Sequence, residues 1–197
     1  MSKPQIILIG AGGHCRSCID VIEQEGRFEI AGVVDRPDSM DKAPVLGYPV
    51  LGTDDDLPKL RKKCRYALVT VGQIKTPEIR VRLFNELQSI GFELPVIVSP
   101  RAYVSKHAKV GYGTIVMHDA LINTGASVGE NCIINSKALI EHDAVIGSHC
   151  HVSTGAIING GVNVGEGTFF GSNAVSVQGI SIKKRSFVSA GILERGA

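Results

Sequence analysis

The sequence predicts a small parallel α/β domain followed by a triangular, parallel β-solenoid. Three observations lead there. Over residues 5–98, short apolar runs alternate with helical stretches, the pattern of a parallel sheet with crossover helices. From Val104 to Leu193 the chain repeats every six residues, and a repeat that short stacks as a solenoid. Within each hexad, bulky, small and polar residues keep to fixed positions. A strand whose side chains alternate between two faces sorts inside from outside in this way.

The α/β part opens with an apolar strand, Gln5–Gly10, and a glycine-rich turn leading into a helix that ends near Glu25. Glu29–Asp35 is a second strand and Gly47–Asp56 a loop, with glycine, proline and three aspartates. Leu57–Cys64 forms a short helix and Arg65–Gly72 a third strand. Thr76-Pro77-Glu78 caps a helix with proline in the first helical position. That helix runs to Ser89 and Gly91 stops it. Leu94–Val98 is read as the fourth strand of this sheet, and Pro100 marks the boundary, giving domains at 1–99 and 100–197.

In the repeat, the first position of each hexad is bulky and apolar from Val104 through Val188, with Ser176 as the exception. The fifth position is small in most hexads, as at Ala108, Ala126, Cys132 and Ala156. The second favours glycine or asparagine, as at Gly111, Asn123, Gly129 and Asn159, read as suiting tight corners. First and fifth positions therefore point in, second and sixth point out, and the third and fourth make the corner. Three hexads close one coil, and fifteen hexads give five coils stacked at roughly 4.8 Å each.

Sixth-position residues fall into three columns. The first is Ile115, Ile133, His151, Phe169 and Phe187; the second is Leu121, Leu139, Ile157, Val175 and Leu193; the third is Lys109, Ser127, Val145, Asn163 and Ser181. Two faces of the prism are thus apolar outside. A lone chain does not leave two such stripes in water, and a closed ring of three copies would bury both. The expected assembly is a homotrimer.

The turn Gly10-Ala11-Gly12-Gly13-His14-Cys15 approaches a dinucleotide fingerprint, with Cys15 in place of the third glycine. Glycines let the backbone approach a phosphate, and the helix start attracts it. Asp35 ends the second strand, where an acid can hold a ribose hydroxyl. The competing reading is a tight structural turn; the coincidence of turn and acid at matching strand ends favours a nucleotide. The first domain is half the size of a full dinucleotide fold, which disfavours a nicotinamide oxidoreductase. Cys15-Arg-Ser-Cys18 has redox or zinc spacing but no second pair, so both read as ordinary helix cysteines.

His118-Asp119 and His142-Asp143 are both corner dipeptides. His118 lies between the two apolar faces and reads as a packing residue near a trimer axis. His142 lies between an apolar and the polar face, on the rim of an interface, with a neighbour's His151 across it. His107 and His149 read as solvated corner residues. An imidazole suits general-base work near neutral pH. Asp143 either fixes its tautomer or simply bonds local corner backbone.

Net charge is +2 with no basic tract, which disfavours nucleic acid as a partner. Ile6–Ile9 is too short for a signal peptide or membrane span. Five irregularly spaced cysteines argue against a disulfide framework. Together these point to a cytoplasmic protein without membrane insertion.

The hexads resemble the left-handed parallel β-helix of hexapeptide-repeat acyltransferases. The left hand is implied by that resemblance, since general crossover rules favour the right. Gly10-Ala-Gly-Gly-His, Thr70-Val-Gly-Gln73, and Ile140-Glu-His-Asp-Ala-Val-Ile-Gly with His151-Val-Ser narrow it. They resemble the bacterial nucleotide-sugar N-acetyltransferases of bacillosamine and perosamine pathways, and the sialic-acid O-acetyltransferases.

The resemblance implies a Rossmann-like nucleotide-sugar domain and an acyltransferase β-helix. It implies acetyl-CoA as cosubstrate, without a metal. His142 becomes the general base, assisted by Asp143. His151 and backbone around Gly160 contact acetyl-CoA. Gly12, Gly13, His14, Asp35 and Gly72 form the nucleotide-sugar pocket. The implied acceptor is a UDP-linked 4-amino-4,6-dideoxyhexose, with a sialic-acid hydroxyl as the alternative. The family's Gly-Asn-Pro-Ala-Lys-like tail has no counterpart in Ile192-Leu-Glu-Arg-Gly-Ala197, so no contact is assigned there. Less favoured are a zinc hydratase using His142, His149 and His151, and a nonenzymatic scaffold.

Overall fold

The computed structural model of the chain describes residues 2–37 and 44–196. The outer limits of the expected domains, Met1 and Ala197, lie outside the described residues. The chain divides into two compact units: residues up to Gly72 with Ile79–Pro95, and Gln73–Glu78 with the chain from Val96 onward.

The first unit is built from β1 (Gln5–Ile9), α1 (Gly13–Glu25), β2 (Glu29–Val34), β3 (Val50–Gly52), α2 (Leu57–Arg61), β4 (Tyr66–Val69) and most of α3 (Glu78–Ile90). Its four strands are all parallel, in the order β3-β2-β1-β4. Ile6–Ile9 are all buried, as expected of a central parallel strand covered on both faces. Ile7, Ile9, Val34, Val69, Leu83, Phe84 and Leu87 form its core. At the end of α1, left-handed Gly26 returns its N–H to the carbonyl of Ile22, a glycine C-cap.

Two expectations are corrected here. Residues 47–56 are not all loop: Val50–Gly52 pairs beside β2, and Asp54–Asp56 is a 3₁₀ turn closed by a Thr53/Asp56 capping box. Nor does Leu94–Val98 add a strand to this sheet. Glu93 bridges to Tyr66, but the regular strand is only β5 (Ile97–Val98), and it pairs with Ile115–Val116 of the repeat. Pro95 interrupts the run, and a proline lacks the N–H that a ladder needs.

The second unit is a parallel β-helix. Two-residue strands, each a sixth and first hexad position, form three parallel sheets of six, six and five strands. The interior holds the predicted first- and fifth-position side chains, from Val116 and Ala120 through Phe170, Ala174 and Val188. Ser176, the polar exception, is also buried and accepts the N–H of Asn159 at 2.8 Å through its hydroxyl, so no polar group is stranded there.

The corners work differently from the sequence reading. The left-handed conformation sits at the fourth position, in glycines such as Gly125 and Gly161 but also in Asp119, Asn131, Lys137, Asp143, His149, Asn173 and Arg185. Second-position glycines serve close approach. A Cβ on Gly111, Gly129 or Gly147 would lie 2.5–2.6 Å from backbone atoms of the next coil. Their hydrogen atoms face along the helix axis rather than outward.

The exposed faces also differ. Ile115 and Ile133 are fully buried and His151 is 7% exposed within one chain, so the upper half of the first column is covered by the chain's own residues. The second column remains half-buried at Leu121, Leu139, Ile157 and Val175, and exposed at Tyr103 and Leu193.

All five cysteines are buried and none forms a disulfide. Burial pushes the Cys15 thiol up from an ordinary 9.0 to about 11, and also raises Cys18. The Cys150 thiol rises because it hydrogen-bonds Cys132 and is itself buried. Thiolates are the reactive form. The native protein is therefore expected to resist iodoacetamide at pH 8, with five thiols alkylated only after unfolding, as mass spectrometry would read. The sign of the linkage is fixed as well. A raised thiol pKa favours the fold below pH 9, and that contribution is lost as pH rises through about 11.

Candidate active site

His142 and Asp143 form the corner between Leu139–Ile140 and Val145–Ile146. His142 Nδ1 lies 2.9 Å from Asp143 Oδ2, with the side chains 49% and 71% exposed. A carboxylate only accepts, so Nδ1 carries a proton, and in the neutral ring Nε2 is the nitrogen with the lone pair. The Asp143 side chain thus bonds the imidazole of its neighbour. Asp143 also adopts φ 61, left-handed, where the same corner of other coils has Gly125, Gly161 and Gly179.

The corner is held from its own coil and both neighbours. The His142 N–H donates to Glu141 Oε2 at 3.2 Å, and Asn123 Nδ2 donates to the same oxygen at 2.8 Å. Asp143 N–H donates to Thr124 O at 3.1 Å, and Gly161 N–H donates to His142 O at 3.0 Å. Gly160 lies directly against the imidazole in the following coil.

His151 sits elsewhere. Its Nδ1 donates to the Gln73 carbonyl at 2.5 Å, and Asn135 Nδ2 lies 3.1 Å from Nε2. Phe169 meets the ring edge-on at 5.2 Å and stacks in turn on Phe187. Within the chain His151 is 7% exposed and both of its ring nitrogens have partners. Gln73 also donates Nε2 to His149 O at 2.9 Å. Sequence reading valued Gln73 only as part of a motif, because a contact 78 residues away leaves no local pattern.

His118 Nδ1 pairs with Ser99 Oγ at 2.6 Å, and Asp119 with Arg101. His149 Nδ1 lies 3.1 Å from Asn131 Nδ2, so His149 is more engaged than a solvated corner residue. His142 and His149 occupy different corners of the prism and do not converge with His151 on one point within the chain.

In the first unit, the predicted pocket residues gather at the C-terminal edge of the sheet. Gly12 caps α1 with extended backbone and no side-chain bond, and a Cβ on Gly12 or Gly13 would meet nothing within 4 Å. The first turn of α1 carries no acid, so its N–H groups and dipole stay available to an anion. Asp35 follows β2, its N–H donating to Gly52 O at 3.2 Å. Gly72 follows β4, where a Cβ would sit 3.6 Å from His14. His14 Nε2 lies 3.4 Å from Cys18 Sγ. The crevice beside β1, where strand order reverses toward β4, is where such sheets bind ligands. Arg80 went unnoticed in the sequence. It is 1% exposed, and Nη1 donates to Val69 O at 2.9 Å and Val71 O at 2.6 Å, fixing the turn before Gly72.

Comparisons fit both halves. Residues 5–87 match the PglD N-terminal domain and residues 161–193 the hexapeptide repeat of succinyl-transferase. A histidine-to-asparagine mutant of perosamine N-acetyltransferase from Caulobacter crescentus, solved with CoA and GDP-perosamine, is 32% identical, with 99% of this chain and 90% of that one covered at TM-score 0.92. The chain belongs to the left-handed β-helix family of hexapeptide-repeat acetyltransferases, in the nucleotide-sugar branch.

This acetyltransferase is also similar to the acetyltransferase domain of PglB from Neisseria gonorrhoeae, solved with acetyl coenzyme A: 29% identity, 96% and 90% of the two chains, TM-score 0.87. WeeI from Acinetobacter baumannii shares the fold at 18% identity, with 97% and 96% of the chains covered and TM-score 0.70. No curated protein matches the chain by sequence. Among the described residues no helix is long and apolar enough to cross a membrane.

Proposed function

We propose that this acetyltransferase moves the acetyl group of acetyl-CoA onto the amino group of a nucleotide-linked amino-sugar, with His142 as general base. Family membership makes it an acetyl-CoA-dependent sugar acetyltransferase. The observation that carries the finer reading is the His142–Asp143 pair, half in solvent, with Nδ1 on the carboxylate and Nε2 on the far side of the ring from it.

The neutral sugar amine attacks the thioester carbonyl while Nε2 takes its proton. The tetrahedral intermediate collapses as the C–S bond breaks. The imidazolium returns the proton to the departing sulfur, and Asp143 stabilises the imidazolium in between. Gly160 and His151 are assigned to the acetyl-CoA side. Gly12, Gly13, His14, Asp35 and Gly72 are assigned to the nucleotide sugar. The helix start suits its pyrophosphate and Asp35 a ribose hydroxyl. Relatives solved with GDP-perosamine support the substrate class, and a UDP-4-amino-4,6-dideoxyhexose is the acceptor proposed here.

The assembly proposed is a homotrimer. The second column, Leu121, Leu139, Ile157 and Val175, supports it as an apolar stripe bordering the His142 corner, which would bring that corner to a seam between copies.

A thermal-shift series with UDP-, GDP- and CMP-linked sugars tests the substrate class. A stabilisation of a few degrees is expected with a nucleotide amino-sugar. Response to CMP-sialic acid alone, or acetylation of sialic acid in a parallel assay, would overturn the amine acceptor.

Asp143 gives a second test. Its left-handed φ of 61 costs an L-residue energy that glycine does not incur. Asp143→Gly is expected to leave stability unchanged or raise it by up to about 1 kcal/mol, while turnover falls about 10-fold or more. Equal activity in wild type and variant would remove Asp143 from the mechanism.

A further inference from the structure

We infer that Gly160 is a positioning residue for the His142 imidazole, acting through the side chain it lacks. This rests on the general-base reading of His142 and adds to it a steric element from the next coil. A Cβ at Gly160 would lie 2.6 Å from His142 Nε2, 2.7 Å from Cε1 and 3.2 Å from Cδ2. Contacts below 3.0 Å are not tolerated, so only glycine lets the ring lie where it does. The ring is thereby fixed twice: Asp143 holds Nδ1 from one side, and Gly160 of the next coil lies close against the Nε2 end of the ring.

Gly160 is held in place because its neighbours are anchored. Asn159 donates its N–H to Ser176 Oγ at 2.8 Å and its Nδ2 to Ser176 O at 2.6 Å. Gly179 N–H donates to Gly160 O at 3.0 Å. On the opposite side, Gly125 leaves room for Asp143, since a Cβ there would run into Oδ1. The pair is therefore packed between glycines of the coils before and after it. Two flanking coils each leave out a side chain where the dyad needs the space.

Gly160 makes a clean test because its φ lies outside the left-handed region, so alanine suits its backbone. The imidazole is half exposed and can swing away. Gly160→Ala should fold normally and yield at the ring, whereas a misplacement near 1 Å typically costs about 100-fold in rate.

The experiment uses the full-length Gly160→Ala, His142→Ala and double variants. Expected for Gly160→Ala are an unchanged melting temperature, shifted His142 ring ¹⁵N resonances and kcat lower by about 100-fold, a larger loss than any change in acetyl-CoA affinity read by calorimetry. In the His142→Ala background the added alanine should have no further effect. Unmoved ring resonances, full kcat, or a loss that persists without His142 would overturn the inference. A loss confined to acetyl-CoA affinity would instead assign Gly160 to coenzyme contact alone. The general-base reading fails separately, if His142→Ala by itself keeps full turnover.

Discussion

Replacing His142 by alanine is expected to lower kcat by about 100- to 10,000-fold, the range a positioned general base contributes. The fold should not change. His142 is exposed, its backbone bonds to Glu141 and Gly161 survive the substitution, and its ring takes no part in the core. Melting temperature should stay within about 2 °C, since surface substitutions rarely exceed ~0.5 kcal/mol. Light scattering should give the same mass as wild type, three chains in the proposed assembly. KM for both substrates should change much less than kcat, because the proton transfer matters in the transition state. Full activity in the variant would exclude the mechanism.

The largest effect on stability is expected from Gly147→Val. A Cβ at Gly147 would sit 2.6 Å from Glu166 N and 2.9 Å from Glu166 Cα. Those are backbone atoms. The surrounding ladder, with Gly147 N–H on Val164 O at 2.8 Å and Gly167 N–H on Ser148 O at 2.9 Å, cannot shift without breaking the stack. Destabilisation of about 3 kcal/mol is expected, at the upper end of ordinary overpacking, which is roughly a 10 °C loss in melting temperature at this chain length. Gly12→Ser is the control: nothing lies within 4 Å of that position, and serine is a favoured helix cap, so stability should hold. Equal melting temperatures for Gly147→Val and wild type would refute the close-approach account of these glycines.

Much of the architecture was legible in the chain because it is repetitive. Val116, Ile134, Val152 and Phe170 stack in one interior column, and the same hydrophobic rule applied every six residues predicts each. The His142-Asp143 corner was legible for the same reason, since its place in the hexad put it on a rim between strands. The glycine code was only half legible. A run of Gly111, Gly129 and Gly147 was visible as a pattern, yet its cause is backbone eighteen or nineteen residues on, reached only once coils stack. The fourth strand of the sheet was misassigned because Leu94–Val98 is apolar whichever partner it finds. Pairing with Ile115–Val116 rather than β4 is a choice between partners that no local propensity encodes.

Sequence alone determined the six-residue period, the interior columns, the parallel α/β half, and the candidate base with its neighbouring acid. Tertiary structure alone decided which outer face stays open, that His151 is clasped by Gln73, that Arg80 ties down the end of β4, and that Gly160 abuts the imidazole. The division has a physical reason. Side-chain period and turn chemistry act within a few residues and are written along the chain. Contact between residues far apart in sequence depends on which surfaces the folded units bury, and that depends on the whole fold at once.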